Sequence, residues 1–229
     1  CGRVGFDSLS EDTGDNTGDN AGVDTDGGLA GVDDDNPDAA PALPPIAPRE
    51  ILNSPGIPVT PESIAWDGDG YGITWLQQSQ TTAYNEVYFM RLSLDGVPLT
   101  SAVRVWDAST AAQLSDIESA DGQYGVAWRF GGSAAFQQVS DTGVLIGPSY
   151  RSSAGGINVL RPLQIGSSGS QFAFIWGAEI FNIYSLSYSL FDLNGDAIVE
   201  SQSLGNGTPF STKPIWTGSS WVAAGVTDG

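Results

Sequence analysis

A tandem repeat constrains the fold of this chain more than any other feature of its sequence. Segments 64–75 (IAWDGDGYGITW), 117–128 (IESADGQYGVAW) and 165–176 (IGSSGSQFAFIW) each end in an aromatic residue, three small or apolar residues and a tryptophan. Segment 214–225 (PIWTGSSWVAAG) is a less complete fourth copy. The equivalent aromatic residues Tyr71, Tyr124, Phe172 and Trp221 lie 53, 48 and 49 residues apart. The residues that define the repeat are Tyr71, Trp75, Tyr124, Trp128, Phe172, Trp176 and Trp221. A regular period of this length predicts a tandem repeat architecture.

A second element follows the first in three of the copies. Segments 89–96 (FMRLSLDG), 136–143 (FQQVSDTG) and 188–195 (YSLFDLNG) each run from an aromatic residue to a glycine seven residues later, and a short apolar run follows. Glycine at the end of such a segment supplies the positive φ angle that a tight hairpin turn requires. Each unit is therefore predicted to form two hairpins, that is, four short strands.

Side-chain size alternates along the second predicted strand of each unit. In the first copy Tyr71, Ile73 and Trp75 share one face, whereas Gly72 and Thr74 share the other, because successive side chains of a strand point to opposite faces. One bulky face and one small face allow sheets to stack against each other. We therefore predict an all-β fold of β-propeller-like, tandem four-stranded blades, about three and a half in number. Because propellers close with roughly 4–8 blades, we expect the chain to be truncated.

Two acidic segments resemble metal-binding loops, but the repeat assigns both to turns. Segment 66–75 (WDGDGYGITW) contains Asp67 and Asp69, which are replaced by alanine and glycine in the second copy. The carboxylates are not part of the repeat, so we predict a turn between two strands. Segment 192–200 (DLNGDAIVE) has the alternating oxygen ligands of a calcium loop, but its Asn-Gly pair takes the place of the hairpin turn in the other units.

Residues 60–229 resemble one loosely defined group of propeller repeats. The repeat lacks the Gly-His and Trp-Asp pairs of WD40 repeats, and Gly70 stands where a sialidase Asp-box has its aspartate. What remains is similar to the Trp- and Gly-rich propeller repeats of secreted bacterial lipoproteins, such as those of myxobacteria. The resemblance implies an exported propeller domain.

The charge of the chain excludes several classes of function. It has 27 acidic and 8 basic residues, for a net charge of −19, and it has no histidine. Nucleic acid and anionic membrane surfaces would repel such a protein, whereas cations or a basic partner would be attracted. Without histidine there is no histidine-based catalytic triad, and with a single cysteine there is no zinc site of the usual kind.

The first quarter of the chain differs in composition from the rest. Between Asp7 and Asp38 there are 11 acidic residues and neither lysine nor arginine, and a stretch rich in proline and alanine follows. Such a sequence has too few apolar side chains to form a core. We predict that residues 1–56 form a disordered acidic and Pro-rich tether and that residues 57–229 form the repeat domain.

The acidic segment also contains candidate calcium ligands. Segment 24–39 (DTDGGLAGVDDDNPDA) faintly resembles the acidic calcium repeats of thrombospondin type 3. Calcium prefers oxygen ligands at alternating positions with a glycine at the turn. The candidate ligands are Asp24, Asp26, Asp33 and Asp35. A solvated acidic spacer is the alternative that we favour, and no other cofactor is expected.

The single cysteine is the first residue of the chain. Cys1 followed by Gly2 resembles the start of a mature bacterial lipoprotein, in which this cysteine carries acyl chains. The resemblance implies export, lipidation at Cys1 and sorting to the outer membrane, because aspartate rather than glycine at the second position is typical of retention at the inner membrane. Two or three acyl chains would anchor a domain of this size stably.

Three functions remain open, and the sequence favours the first. The first is a surface-anchored binding domain for a protein or glycan ligand, for which Tyr84 and Trp106 are candidate exposed aromatics, although both are more simply explained as covering blade edges. The second is a hydrolase or lyase acting on polysaccharide, which needs a pair of carboxylates. Its candidates are Glu62, Asp116, Glu118 and Glu179. The third is a structural subunit that assembles through unpaired blade edges.

Overall fold

Every regular element in the described part of the chain is a β-strand. The computed structural model describes residues 57–106, 111–152, 158–180, 183–206 and 213–223. The first sheet contains β1 (Val59–Trp66), β2 (Gly70–Gln78), β3 (Asn85–Ser93) and β4 (Val103–Trp106). The second contains β5 (Ala112–Ala120), β6 (Gln123–Phe130), β7 (Ser133–Ser140) and β8 (Leu145–Arg151). The third contains β9 (Asn158–Ser167), β10 (Gln171–Ile180), β11 (Ile183–Asp192) and β12 (Ala197–Asn206). A hairpin of β13 (Ile215–Trp216) and β14 (Trp221–Val222) follows.

The sheets are antiparallel, and their strands pair in the order of the sequence. Each of the three sheets is a four-stranded meander, and the described part of the fourth unit is a two-stranded hairpin. The prediction of an all-β, β-propeller-like fold with tandem four-stranded blades is therefore confirmed, and within the described ranges the blades do not close into a ring. The sheets converge at their first strands, because β1 contacts β5 and β5 contacts β9. We call this side of the stack the inner edge.

Both acidic segments form turns, as predicted. Asp67, Gly68 and Asp69 connect β1 to β2, and Gly68 has the positive φ angle of 100° that favours glycine at this position. In the other segment, the Asp192 carboxylate accepts hydrogen bonds from the backbone N–H groups of Asn194 and Asp196, both at 2.9 Å. These bonds hold the chain in the turn between β11 and β12.

The predicted alternation of bulky and small side chains explains how the sheets stack. Gly125 on β6 lies beneath side chains from its own sheet and the third sheet. A Cβ atom at Gly125 would lie 2.7 Å from Ile165 Cδ1, 2.8 Å from Phe172 Cδ1 and 2.9 Å from Phe136 Cε2. The ring of Tyr124 lies over Gly72 on β2 in the same way. The bulky face of each sheet therefore fits the small face of the sheet before it.

Three apolar cores are present in the described residues: one at each of the two interfaces between neighbouring sheets, and a third on the other face of the first sheet around Trp75, Met90 and Leu92. The core between the first and second sheets includes the fully buried Tyr124 and Trp128, and the core between the second and third includes Phe172 and Trp176. In the second core the rings of Phe136 and Phe191 stack with centroids 4.1 Å apart. Of the repeat-defining residues, Tyr71 and Trp221 are only half-buried, whereas the others are buried. Aromatic side chains thus supply much of the apolar surface that holds the sheets together.

The fit at Gly72 leads to a first prediction. Replacing Gly72 with alanine places a methyl group against the ring of Tyr124, and we expect the free energy of unfolding to fall by about 1–3 kcal/mol, as in other overpacked cores. Urea denaturation followed by tryptophan fluorescence measures this change. In a Tyr124→Leu background, which shortens the side chain above Gly72, the same substitution should cost less. An equal cost in both backgrounds would show that the ring does not limit the space at Gly72.

Candidate functional site at the inner edge

A cleft of about 260 Å³ opens where the first strands of three sheets meet. β1, β5 and β9 each contribute two or three residues to its walls. The lining residues are Glu62, Ser63, Leu114, Ser115, Asp116, Leu163 and Gln164. The cleft is therefore built by the stacking of blades and not by any single one.

The repeat explains why these residues come together. Ser63, Asp116 and Gln164 each precede the isoleucine that begins one copy of the repeat, so equivalent positions of three blades become neighbours. The pairing of β5 with β6 also shifts register around Leu114, which has a positive φ angle of 51°. Such β-bulges redirect side chains and are common beside functional sites.

Asp116 connects all three sheets. One of its carboxylate oxygens accepts hydrogen bonds from the Ser63 hydroxyl at 2.8 Å and from the Ile117 backbone N–H at 3.0 Å. The other oxygen accepts a hydrogen bond from the Ile165 backbone N–H at 3.0 Å. Ser63 belongs to the first sheet and Ile165 to the third, so this one side chain fixes the positions of three strands beside the cleft.

Glu62 provides the second carboxylate of the cleft. One of its oxygens accepts a hydrogen bond from the Ser115 backbone N–H at 3.2 Å, and the Ser115 hydroxyl donates to the hydroxyl of Thr74 at 3.1 Å. Glu62 and Asp116 are both half-buried, and both line the cleft. Two carboxylates and neighbouring hydroxyl groups make a site suited to ligands that donate hydrogen bonds or carry positive charge.

The structure brings together two of the four carboxylates considered for catalysis. Glu62 and Asp116 line the same cleft. Glu118 instead forms an ion pair with Lys213, and the side chain of Glu179 lies outside the described residues. The Glu118–Lys213 pair links β5 to the segment just before the fourth hairpin.

A buried charged network between the first two sheets was not predicted from the sequence. The Asp67 carboxylate accepts hydrogen bonds from Arg91 Nε at 2.8 Å and from the Tyr124 hydroxyl group. Its other oxygen accepts from the backbone N–H groups of Asp69 at 2.8 Å and Gly70 at 2.6 Å. Asp67 is therefore a turn residue, as predicted, and also joins the two sheets. Local sequence patterns gave no sign of this, because its partners lie 24 and 57 residues away.

This network shifts the pKa values of its members. Burial alone would raise the pKa of Asp67, but the hydrogen bonds from Tyr124, Arg91 and the backbone outweigh it and hold that pKa well below its ordinary value of 3.8. Burial and then the hydrogen bond to Asp67 raise the pKa of the Tyr124 hydroxyl group well above its usual range. Asp67 is therefore ionised at neutral pH, and both of its carboxylate oxygens accept hydrogen bonds.

The two aromatic residues considered for ligand stacking differ in their surroundings. Tyr84 is exposed just before β3, as predicted. The prediction that Trp106 is an exposed loop residue is wrong: it ends β4 and is buried beside Trp128, with ring centroids 5.4 Å apart. The guanidinium group of Arg151 lies 4.3 Å from the centroid of the Trp106 ring. Trp106 is therefore part of the interface between the first two sheets.

The remaining predicted sites fall on other parts of the chain. Cys1 and the four candidate calcium ligands, Asp24, Asp26, Asp33 and Asp35, lie outside the described residues. Among the residues that the structure describes, no group of three or more His, Cys, Asp or Glu side chains is placed to hold a metal ion. Lipidation and calcium binding therefore stay predictions.

Comparison with known proteins does not assign the chain to a family. No protein-family model matches the chain, and no curated protein matches it with significant similarity. Within the described ranges there is no helix with the length and hydropathy needed to cross a bilayer. The functional interpretation therefore depends on the geometry of the site.

The Asp67 network leads to a second prediction. Asp67→Asn keeps an oxygen that can accept the hydrogen bonds of the turn but removes the negative charge to which Arg91 and Tyr124 donate. The side chain of Asp67 is only 3% exposed. We expect the free energy of unfolding at pH 7 to fall by about 1.5–3 kcal/mol, as measured by urea denaturation. Asp69→Asn is the matched control, because Asp69 is 88% exposed and lies 3.5 Å from the same arginine. It should change stability by less than about 0.5 kcal/mol.

The pH dependence of this effect has a definite sign. Because the pKa of Asp67 is lower in the folded state than its ordinary value of 3.8, the network stabilises the fold fully above that value. The stabilisation is lost as the pH falls below it. The difference in unfolding free energy between the native protein and Asp67→Asn should therefore be constant from about pH 5 to 7 and shrink towards about pH 2. A difference that stayed constant throughout would exclude the ionised carboxylate as its source.

Proposed function

We propose that the chain is a non-catalytic binding domain that recognises a basic group of a protein or glycan partner in the inner-edge cleft. The observation that carries this proposal is the cleft itself, which three blades build and which two carboxylates line. A site assembled from separate sheets has fixed walls, and fixed walls reduce the conformational cost of binding.

Charge complementarity indicates the class of ligand. The chain has a net charge of −19, which attracts basic partners over distances comparable to the Debye length. Within the cleft, Glu62 and Asp116 offer acceptors, and the side chains of Ser63 and Gln164 can both donate and accept. An ammonium or guanidinium group would match this arrangement, with Leu114 and Leu163 contacting the apolar part of its side chain.

Hydrolysis of a polysaccharide is the second candidate. It is favoured by one observation, that Glu62 and Asp116 line the same cleft, as a carboxylate pair in a glycosidase does. Against it, both oxygens of Asp116 already accept hydrogen bonds from three donors in the sheets around it. A carboxylate held in this way supports the structure and is poorly placed to attack a sugar or to transfer a proton.

Binding at the cleft can be tested with a hexalysine peptide. Isothermal titration calorimetry of the full chain should give a dissociation constant that Glu62→Gln raises roughly tenfold, because one charge-assisted hydrogen bond is lost. Glu200→Gln is the control, since it changes the net charge equally at an exposed position of β12. It should alter the dissociation constant by less than about twofold.

Two other outcomes would contradict the proposal. Equal effects of Glu62→Gln and Glu200→Gln would assign binding to the overall charge of the chain rather than to the cleft. Release of reducing sugar from a panel of polysaccharides, abolished by Glu62→Gln and not by Glu200→Gln, would make the cleft an active site.

We further propose that Cys1 anchors the domain to the bacterial outer membrane. The support for this part is the resemblance of the first residues to a mature lipoprotein. Intact-mass spectrometry of the protein from its host membranes should show a mass increased by acyl chains, and Cys1→Ser should both remove the increase and release the protein into the soluble fraction. An unmodified Cys1 in protein recovered from the membranes would contradict the anchor.

A further inference from the structure

Apolar residues stay exposed just after the turn that follows the third strand of each sheet. A short apolar run recurs at this position in three units, but its members belong neither to the three cores nor to the cleft. The exposed members, which we call the outer rim, are Val97, Leu99, Val144, Leu145 and Ile198, and they are between 42% and 62% exposed. Isolated exposed apolar residues need no explanation, whereas recurrence at one position of three units indicates a shared role.

The central sheet shows that this exposure does not depend on the ends of the chain. The second sheet packs on both the first and the third sheet, yet Val144 and Leu145 are exposed. Leu145 pairs with Val139 of β7, and Val139 is fully buried. A further blade at either end of the stack would therefore not explain why the outer-rim residues are apolar.

The turns of successive sheets contact one another, so the outer rim runs along one side of the stack. A Cβ atom at Gly143 in the second sheet would lie 3.6 Å from Thr100 Cβ in the first. A Cβ atom at Gly195 in the third sheet would lie 3.1 Å from the backbone oxygen of Ile146 in the second. Each of these residues is at most three positions from an outer-rim residue in the sequence. Because sheets stack about 10 Å apart, the outer rim extends over roughly 20 Å.

An exposed carboxylate accompanies the apolar residues in every turn. Asp95, Asp141 and Asp196 are exposed, and no ion pair holds any of them within the described ranges. Insertion of the outer rim into a lipid bilayer would remove these charges from water at a high cost. Basic side chains of a protein partner would instead pair with them, while its apolar side chains cover the outer rim.

The edge of the central blade is not suited to backbone pairing with another strand. β8 is an edge strand of its sheet, and Pro148 lies in its middle. Proline has no N–H group to donate to a partner strand, and it is typical of edges that stay unpaired. A partner at this position is therefore recognised through side chains and not by extension of the sheet.

We propose that the outer rim binds an extended segment of a partner protein, one side of which presents apolar and basic residues in turn. Side chains on one side of an extended segment lie about 6.6 Å apart, so apolar residues four positions apart recur about every 13 Å. That spacing is comparable to the distance between neighbouring sheets. The apolar residues would then contact the outer rim of successive blades, and the basic residues between them would reach the carboxylates of the turns. This surface is separate from the inner-edge cleft.

Fluorescence anisotropy with two labelled peptides of identical composition tests the proposal on the full chain. One peptide contains three Leu-Ser-Lys-Ser units, which place leucine and lysine on the same side of an extended chain. The other contains three Leu-Lys-Ser-Ser units, which place them on opposite sides. The first peptide should bind saturably and more tightly than the second. Equal affinities would overturn the proposal, because composition and charge alone would then account for the binding.

Substitutions in the central blade locate the binding surface. Val144→Ser combined with Leu145→Ser should raise the dissociation constant of the first peptide about tenfold, because apolar contacts are lost. Ile64→Ser is the matched control, since Ile64 is 61% exposed on the outer face of the first sheet. It should change the dissociation constant by less than about twofold. All three positions are exposed, so the midpoint of urea denaturation should stay that of the native protein.

The cleft variant separates this proposal from the function proposed for the inner edge. Glu62→Gln and an excess of hexalysine should both leave binding of the first peptide unchanged, because the outer rim lies apart from Glu62. Binding that is lost in Glu62→Gln but kept in the double serine variant would overturn the outer-rim proposal and assign the peptide to the cleft. Binding of the peptide by the outer rim without any binding of hexalysine would contradict the function proposed for the cleft alone.

Discussion

The packing of an aromatic side chain of one sheet over a glycine of the sheet before it is the interaction on which the rest of this structure depends. Tyr124 lies over Gly72, and Phe172 lies over Gly125. Because a Cβ atom has no space at either glycine, the fit sets both the distance and the register between neighbouring sheets. The first strands converge as a result, and polar residues that are far apart in the sequence become neighbours at the inner edge.

The cleft is formed by the stacking of the sheets. Once the sheets are in register, the residues before Ile64, Ile117 and Ile165 lie side by side, and the backbone N–H groups at the inner edge need acceptors. Asp116 accepts backbone hydrogen bonds from two strands, β5 and β9, and its side chain also lines the cleft. The same side chain therefore contributes to stability and gives the cleft its charge, which supports binding better than it supports turnover.

What could be predicted from the sequence was local or periodic. The hairpin turns follow from Asp-Gly and Asn-Gly pairs, and the stacking follows from the alternation of bulky and small residues, because both signals lie within a few residues or recur at a fixed interval. The Asp67 network could not be predicted, since Asp67 is absent from the other copies and its partners belong to other strands. Trp106 was misjudged for a similar reason. It ends the short strand β4, and its burial depends on a side chain of the neighbouring sheet.

The way in which the sheets are covered has a consequence for how the molecule loses structure. Strands pair with their neighbours in sequence, and each sheet packs on the sheets beside it. The stability of each sheet therefore depends on its contacts with the neighbouring sheets, as in other repeat proteins. The second sheet packs on both the first and the third sheet, whereas the first packs on the second sheet alone among the described four-stranded sheets. Opening the first sheet breaks a single interface, but opening the second breaks two. Thermal fluctuations should therefore detach the outer blade before the central one, and the protein should fray from its end before it melts as a whole.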